Sequence, residues 1–179
     1  MERRRPGRQG LLGRAQTKVH RALLLLHLLA VIAYLGPSLG GSFVYWRARR
    51  SGDPALLRWA LRQAVALYRF EHLMLVAVLL TGAGLWWQGG WALLAAPWFR
   101  WKLGVIAAVL LPVEVWDVWA VSRVLAPALR AGAGAPPGTE AGRVPEEALR
   151  AHELVLTAGG VLFTGAALAI LWLSVAGKG

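Results

Sequence analysis

The residues of this sequence that could do chemistry are a few polar side chains set within long apolar stretches. An ionised side chain at the centre of a spanning helix costs about 2.5–3.5 kcal/mol, so such groups are expected to pair or to face a cavity. If successive stretches cross the membrane in alternating directions, these side chains fall into two layers. The terminal layer, toward the side holding both chain ends, contains His20, His27 and Lys102. The opposite layer contains Arg69, Glu71, His72, Glu114, Asp117, His152 and Glu153.

The terminal layer centres on His27, which lies in the uncharged stretch 22–46. The spacing of seven residues places His20 and Tyr34 on the same helix face. A neutral imidazole on an apolar face can ligate haem iron or contact a porphyrin or quinone. Lys102 either snorkels to the interface or holds a propionate or a substrate carboxylate. His27, Lys102 and Tyr34 are therefore candidate cofactor-binding residues, with haem b as the candidate cofactor. The alternative for His27 is a packed histidine bonded to a backbone carbonyl.

The opposite layer has two interpretations. The first is an ion-pair network in which Arg69 pairs with Glu114 or Asp117, with histidines as hydrogen-bond partners. The second is a metal or proton site, because histidine and carboxylate suit zinc, copper or iron. Its candidate residues are His72, Glu71, Glu114, Asp117 and His152. Each histidine has a glutamate directly beside it in sequence. Adjacent side chains diverge by about 100° on a helix, which disfavours both members ligating one ion.

The elements that must position these residues are four membrane-spanning helices. The chain has 179 residues and is 57% hydrophobic, with a mean hydropathy of +0.50. The apolar residues are concentrated in long runs, which is typical of spans that cross a core about 30 Å thick. The predicted spans are 18–46, 65–87, 100–122 and 152–176, in one transmembrane domain at 18–179 after a basic tail at 1–17. The predicted fold class is an all-α membrane protein, a four-transmembrane-helix bundle.

The second and third spans must include charged residues. Their charge-free parts, 73–87 and 103–113, are shorter than the roughly 20 residues that a span needs. The flanking polar residues of the opposite layer therefore fall inside the membrane or its interface. Pro37 and Pro112 lie within the first and third spans and are expected to kink them.

A weak internal repeat relates the first and third spans. Residues 27–37 align without gaps to residues 102–112, and each segment has a polar residue ten positions before its proline. The repeat suggests two helical hairpins related by an axis along the membrane normal. His27 and Lys102 then occupy equivalent positions and could face a shared pocket.

Composition narrows the range of cofactors and partners. The absence of cysteine excludes disulfides, thiolate metal sites, iron–sulfur clusters and covalent c-type haem. The net charge of +11 favours contact with anionic lipid head groups. No soluble domain remains to bind nucleic acid, so the predicted partners are membrane lipid and either a second copy or another membrane protein. The 20 Lys and Arg residues divide equally between the two sides, so they do not determine orientation.

Three segments resemble a superfamily of small bacterial membrane proteins. They are His27 followed by Gly36, the TGAGLW at 81–86, and the WFRWKL at 98–103. The superfamily includes the copper-resistance D domain, the HemJ-type protoporphyrinogen oxidases and a large group of predicted integral membrane proteins of unknown function. Residues 18–176 look most like that last group. The resemblance implies a multi-pass protein of the cell membrane, in bacteria the inner membrane.

The resemblance to the HemJ-type enzymes maps their functional histidine and lysine onto His27 and Lys102. The chain departs from that family at 43–46, where FVYW replaces Phe-Val-Tyr-His, and it lacks the Met-Glu-Arg-Arg cluster of the second helix. Three functions are therefore considered. The first is a haem- or porphyrin-binding redox protein, and the second is a metal-ion or proton-coupled permease. The third is a non-catalytic membrane subunit that packs through its glycine faces. No catalytic residue is assigned, and whether the chain is an enzyme stays open.

Overall fold

The computed structural model describes residues 7–135, 139 and 143–176, and this part of the chain consists of helices and their connections, without a strand. Helices α1 and α2 are Gly7–Ser51 and Pro54–Gly89. After a 3₁₀ turn at Trp91–Ala95, helix α3 is Pro97–Ala131. Helix α4 comprises Glu146–Leu154, Val155–Gly159 and Gly160–Ala176. Four helices are long and apolar enough to cross a membrane, which confirms the predicted fold class.

The helices extend beyond the predicted spans. Helix α1 begins at Gly7, so residues 7–17 of the basic tail are helical, while residues 1–6 lie outside the described part. Arginine, glutamine, leucine and alanine are good helix formers, so a helix can continue past the end of an apolar stretch. Hydrophobicity determines how much of a helix lies in lipid, but it does not determine where the helix ends.

The start of α2 is set by local chemistry. The Asp53 carboxylate accepts hydrogen bonds from the backbone N–H groups of Ala55 at 2.8 Å and Leu56 at 3.3 Å. Pro54 occupies the first turn, where its missing N–H costs nothing. Gly52 precedes the cap with a φ of 70°, a conformation that favours glycine. These residues make the tight turn that joins α1 to α2.

The prolines of α3 are accommodated by π-helical turns. Ile106–Leu110 precedes Pro112, and Ala120–Leu125 precedes Pro127. A proline ring clashes with the carbonyl four residues earlier, and the wider π turn makes room for it. A third π-helical segment, Val155–Gly159, lies in α4. The expected disturbance at Pro112 therefore takes the form of a π turn, whereas α1 stays helical through Pro37.

The helices pack as two antiparallel hairpins, α1 with α2 and α3 with α4. The main buried core lies at the end of the bundle where α1 and α3 finish and α2 and α4 begin. Its members are Tyr45, Leu61, Leu125, Leu129, Val144, Ala148 and Leu149. Many large apolar side chains elsewhere face outward, as lipid contact requires. The hairpins are therefore joined most firmly near the loops opposite the chain termini.

Arg58 holds the loop that follows α3. Its side chain is 5% exposed, and its guanidinium donates hydrogen bonds to the carbonyls of Gly132 and Ala135. Arg58→Ala is expected to lower the free energy of unfolding by about 1–3 kcal/mol, because it leaves buried carbonyls unpaired. Arg58→Lys should not restore it, since an ammonium lacks the planar pair of donors.

The matched control for this prediction is Arg62→Ala, one helical turn later. Arg62 is exposed and has no hydrogen bond or ion pair to the described residues. Thermal unfolding in mild detergent should show a loss for Arg58→Ala and no change for Arg62→Ala. Equal midpoints for the two variants would show that the Arg58 contacts do not stabilise the loop.

Candidate functional site

A cavity of about 150 Å³ lies between the four helices. Helix α1 contributes Tyr34 and Ser38, while the other helices contribute all five residues predicted as a metal or proton site. Those five are Glu71, His72, Glu114, Asp117 and His152. No lysine or arginine is among the lining residues. We call this space the acidic cavity.

The centre of the acidic cavity is a contact between His72 and Glu114. The Nδ1 atom of His72 lies 2.9 Å from the carbonyl of Tyr68, which can only accept, so Nδ1 carries a proton. The Nε2 atom of His72 lies 3.5 Å from Oε2 of Glu114, and it is buried with no hydrogen-bond partner in the described part of the chain. A neutral imidazole and a carboxylate would place two lone pairs against each other here. A proton on Nε2 or on Oε2 would make this contact favourable.

Tyr34 fixes the other oxygen of the Glu114 carboxylate. Its hydroxyl donates to Oε1 of Glu114, and its ring meets Phe163 edge to face with a centroid distance of 5.6 Å. The sequence grouped Tyr34 with His27, but the structure places it in the acidic cavity. Seven residues along a helix correspond to about 10 Å, so two residues on one face can serve different layers.

The remaining carboxylates of the cavity differ in their partners. Glu71 accepts a hydrogen bond from the Ser38 hydroxyl at 3.2 Å. Asp117 makes no hydrogen bond or ion pair with any residue the structure describes, although it lies within electrostatic range of Glu71, Glu114 and His72. Asp117 is therefore the carboxylate of this cavity that remains available to a ligand.

His152 is the most buried polar residue of the acidic cavity. It is 5% exposed, and its Nδ1 atom has no hydrogen-bond partner among residues 7–135, 139 and 143–176. Its ring packs edge to face against Tyr45, with centroids 4.9 Å apart. Neighbouring Glu153 does not line the cavity, whereas the adjacent residues Glu71 and His72 both do.

A second polar cluster joins the two hairpins beside the main core. Glu153 accepts from the Tyr45 hydroxyl at 2.8 Å and from Nε of Arg49 at 2.9 Å. Arg49 also pairs with Glu146 at 3.2 Å. Sequence reasoning missed this cluster because it ended the first span at residue 46. The continuation of α1 to Ser51 is what brings Arg49 to α4.

The predicted ion pairs of Arg69 do not form. Arg69 is exposed and makes no salt bridge with the described residues, whereas Glu114 instead meets His72 and Tyr34. A long arginine side chain can extend to the membrane interface, so its position in a span does not require a buried partner.

The terminal layer is formed by α1, α2 and α3. Thr81 donates its hydroxyl to the carbonyl of Ala77 at 2.6 Å, so its oxygen accepts from Nδ1 of His27 at 2.9 Å. The ring of His27 also has a hydrogen bond to the backbone of Val78, as expected for the alternative of a packed histidine. Lys102 lies within electrostatic range of His27. About two helical turns nearer the start of α1, Nδ1 of His20 lies 3.0 Å from Oε1 of Gln88.

The metal prediction meets a geometric limit. Within the described ranges, no three His, Asp or Glu side chains converge closely enough to hold a metal ion. The five candidate residues share the acidic cavity without forming a ligand cluster. Which ligand these residues bind stays a prediction.

Three glycines of α1 do not support close packing against the described residues. A Cβ atom added at Gly36, Gly40 or Gly41 would meet no described atom within 4 Å. A Cβ at Gly159 would lie 3.4 Å from Val113, so that glycine does support close packing of α3 against α4. The predicted contact of the α1 glycines with another membrane protein stays a prediction.

Comparison with known proteins gives one family. The family model described as a predicted integral membrane protein, DUF2269, matches residues 21–178. No curated protein and no solved structure matches the chain. The wider link to the copper-resistance D domain and the HemJ-type oxidases stays a prediction.

Proposed function

Because the chain belongs to the DUF2269 family of predicted integral membrane proteins, we propose that it acts within the bilayer as a proton permease. Its working site is the acidic cavity between the four spanning helices. The proposed location of the chain is the bacterial inner membrane, as its resemblance to bacterial proteins implies. The chain is an integral membrane protein, and carboxylate and histidine side chains line its cavity. Both features support a role in moving positive charge across the bilayer.

The observation that carries this proposal is the contact between His72 and Glu114. Nδ1 of His72 donates to the carbonyl of Tyr68, so Nε2 is the ring atom that lies 3.5 Å from Oε2 of Glu114 and is open to protonation. A proton shared by an imidazole and a carboxylate can leave from either group. The site is therefore a proton-binding pair inside a spanning bundle, and intramembrane ionisable groups of this kind are typical of proton relays.

The surroundings of the pair supply further positions for a proton. Glu71 of α2 and Asp117 of α3 both line the cavity within electrostatic range of each other, and His152 lies on α4 with an unpaired Nδ1 among the described residues. Like charges at such distances repel strongly at low dielectric, so the cavity favours the entry of a cation. The proton is the smallest cation that could reduce the repulsion between these carboxylates.

Proton flux into vesicles tests this function directly. The purified chain is reconstituted into vesicles that contain a pH-sensitive dye, and a potassium diffusion potential is imposed with valinomycin. We expect protons to enter protein-containing vesicles faster than protein-free vesicles. Equal rates in the two preparations would overturn the proposal.

A second candidate function, haem binding in a redox role, is favoured by the geometry of His27. A haem-ligating histidine commonly donates its other ring N–H to a nearby oxygen, and here Nδ1 donates to Thr81 while Nε2 keeps its lone pair. In this candidate function His27 would be the iron ligand, and Lys102, which lies within electrostatic range of His27, would be the partner of a propionate. A bound haem would supply one-electron redox chemistry.

A visible spectrum decides this second candidate. The chain purified in mild detergent should show a Soret band that sharpens on reduction with dithionite, and His27→Ala should abolish it by removing the iron ligand. The matched control is His20→Ala, which removes the other histidine of the same helix face and should leave the band unchanged. A flat spectrum of the unsubstituted chain, or a band that survives His27→Ala, would rule out haem ligation by His27.

A further inference from the structure

We propose that the connection between α2 and α3 lies among the lipid head groups and that the surface around it binds anionic phospholipid. This surface, which we call the interfacial surface, combines exposed indole rings with exposed cations. Its members are Trp87, Trp91, Trp101, Lys18, Arg21 and Arg100. None of these residues lines the acidic cavity, so the interfacial surface is independent of the proposed proton site.

The connection between α2 and α3 carries no charge. Between Glu71 and Arg100 the sequence has no aspartate, glutamate, lysine or arginine, whereas the connections at 47–54 and 132–145 both contain charged residues. Helices α2 and α3 are each long and apolar enough to cross a membrane, so their connection must lie at a membrane surface. A connection without charge can stay in contact with lipid there.

The backbone of this connection supplies hydrogen bonds to itself. The N–H of Gly90 donates to the carbonyl of Trp86 at 3.0 Å, and the N–H of Ala96 donates to the carbonyl of Leu93 at 3.1 Å. Unpaired backbone groups are costly where water is excluded. The internal bonds therefore lower the cost of placing the turn among head groups.

The tryptophans of the connection are exposed and pack against one another. Trp87 and Trp91 are 77% and 65% exposed, and Trp101 near the start of α3 is 69% exposed. The ring centroid of Trp91 lies 5.0 Å from that of Trp86 and 6.4 Å from that of Trp87. An indole has an apolar body and one polar N–H, which is why tryptophan is enriched at membrane interfaces. These exposed rings indicate contact with lipid head groups.

Two cations of α1 lie beside the end of α2. His20 contacts Gln88 at 3.0 Å, and Lys18 and Arg21 are within one helical turn of that contact. Both cations are exposed, and neither makes a salt bridge with the described residues. Residues 7–52 contain no aspartate or glutamate, so α1 has no acid of its own to offset them.

A third cation comes from α3. The ring centroids of Trp86 and Phe99 are 6.0 Å apart, which places the neighbouring Arg100 beside the same end of α2. Arg100 is exposed and makes no salt bridge within the described part of the chain. Each lysine or arginine near an anionic bilayer surface strengthens binding about fivefold. The interfacial surface therefore favours an anionic phospholipid over a zwitterionic one.

A single spin label tests the position of the connection. The sequence has no cysteine, so Ala92→Cys provides one labelling site in the full chain. The labelled chain is reconstituted into vesicles of phosphatidylcholine and phosphatidylglycerol. Collision rates are then measured with oxygen, which concentrates in lipid, and with a neutral nickel chelate, which stays in water. We expect the label at residue 92 to collide more with oxygen than with the chelate.

Ala133→Cys is the matched control for the spin label. It changes an exposed alanine in the loop after α3, and there we expect more collisions with the chelate than with oxygen. Equal access of the chelate to both labels would overturn the proposed position. A label at residue 92 that is shielded from both reagents would also overturn it, because packing against a second copy would give that result.

Short-chain phospholipids test the preference for negative charge. Thermal unfolding of the full chain in detergent is followed with phosphatidylglycerol, phosphatidylcholine or inorganic phosphate at equal concentration. We expect phosphatidylglycerol to raise the unfolding midpoint most, since a ligand that binds only the folded state stabilises it. An equal effect of phosphatidylcholine would overturn the charge preference, and an equal effect of inorganic phosphate would overturn the lipid as the ligand.

Two arginine variants assign the lipid to the interfacial surface. Arg100→Gln should raise the half-saturating concentration of phosphatidylglycerol about fivefold, because one cation is lost. Arg150→Gln also removes an exposed arginine, but Arg150 lies 3.9 Å from Glu146, which offsets its charge. Its half-saturating concentration should match that of the unsubstituted chain. An equal increase in both variants would overturn the assignment to this surface.

Discussion

Glu114→Gln should reduce proton flux in the vesicle assay by about a hundredfold or more, the usual scale when a proton-transfer group is removed. The glutamine amide can accept from Tyr34 through its oxygen and donate to Nε2 of His72 through its nitrogen. It fills the same volume as the carboxyl group but cannot take up or release the proton. The variant should therefore fold normally and fail to conduct.

Asp53→Asn is the control for that experiment. It also removes one carboxylate and its charge, but it lies at the helix cap outside the cavity, and asparagine caps helices as well as aspartate does. Its flux should match that of the unsubstituted chain. A Glu114→Gln variant that conducts protons at the unsubstituted rate would remove Glu114 from the pathway.

Leu61→Ala should lower the free energy of unfolding by about 2–5 kcal/mol, a larger loss than that expected for Arg58→Ala. Leu61 is 0% exposed and packs in the core with Tyr45 and Leu125, where the two hairpins meet. In a bilayer, helices associate largely through close van der Waals packing, because lipid tails are as apolar as leucine. A cavity at this position removes that packing where the hairpins are joined.

Leu73→Ala on the same helix provides the comparison. Leu73 is 61% exposed within the chain, so its side chain faces lipid or detergent and packs little against other helices. Its substitution should change the free energy of unfolding by less than about 0.5 kcal/mol. Denaturant unfolding of the two variants in one detergent measures both values. Similar losses would show that the core around Leu61 does not stabilise the bundle.

Much of the candidate site could be predicted from the sequence. Short charge-free stretches forced the polar residues of α2 and α3 into the membrane, and alternating topology sorted them into layers. The structure brings Glu71, His72 and Asp117 into one cavity, in agreement with that layering. Their roles stay predictions, because sharing a cavity does not identify what binds there.

The partners within each layer could not be predicted. Arg69 was expected to neutralise Glu114, but Arg69 faces outward, and Tyr34 and His72 meet that carboxylate instead. Nothing in the spacing of residues along one helix says which residue of another helix will face it. A shift by one residue rotates a side chain by about 100° and redirects every contact.

The four-span helical bundle could be predicted from the sequence alone, and the placement of its polar groups at two depths stays a prediction. Hydrophobic length and chain alternation depend only on local composition, because a span must exceed the thickness of the hydrocarbon core. The tertiary structure was needed to show that His72 lies 3.5 Å from Glu114, and that Asp117 and the Nδ1 atom of His152 have no hydrogen-bond partner among the described residues. Those facts depend on how α2, α3 and α4 are rotated about their axes. That rotation is set by close packing between the helices, including the π turns of α3 and α4.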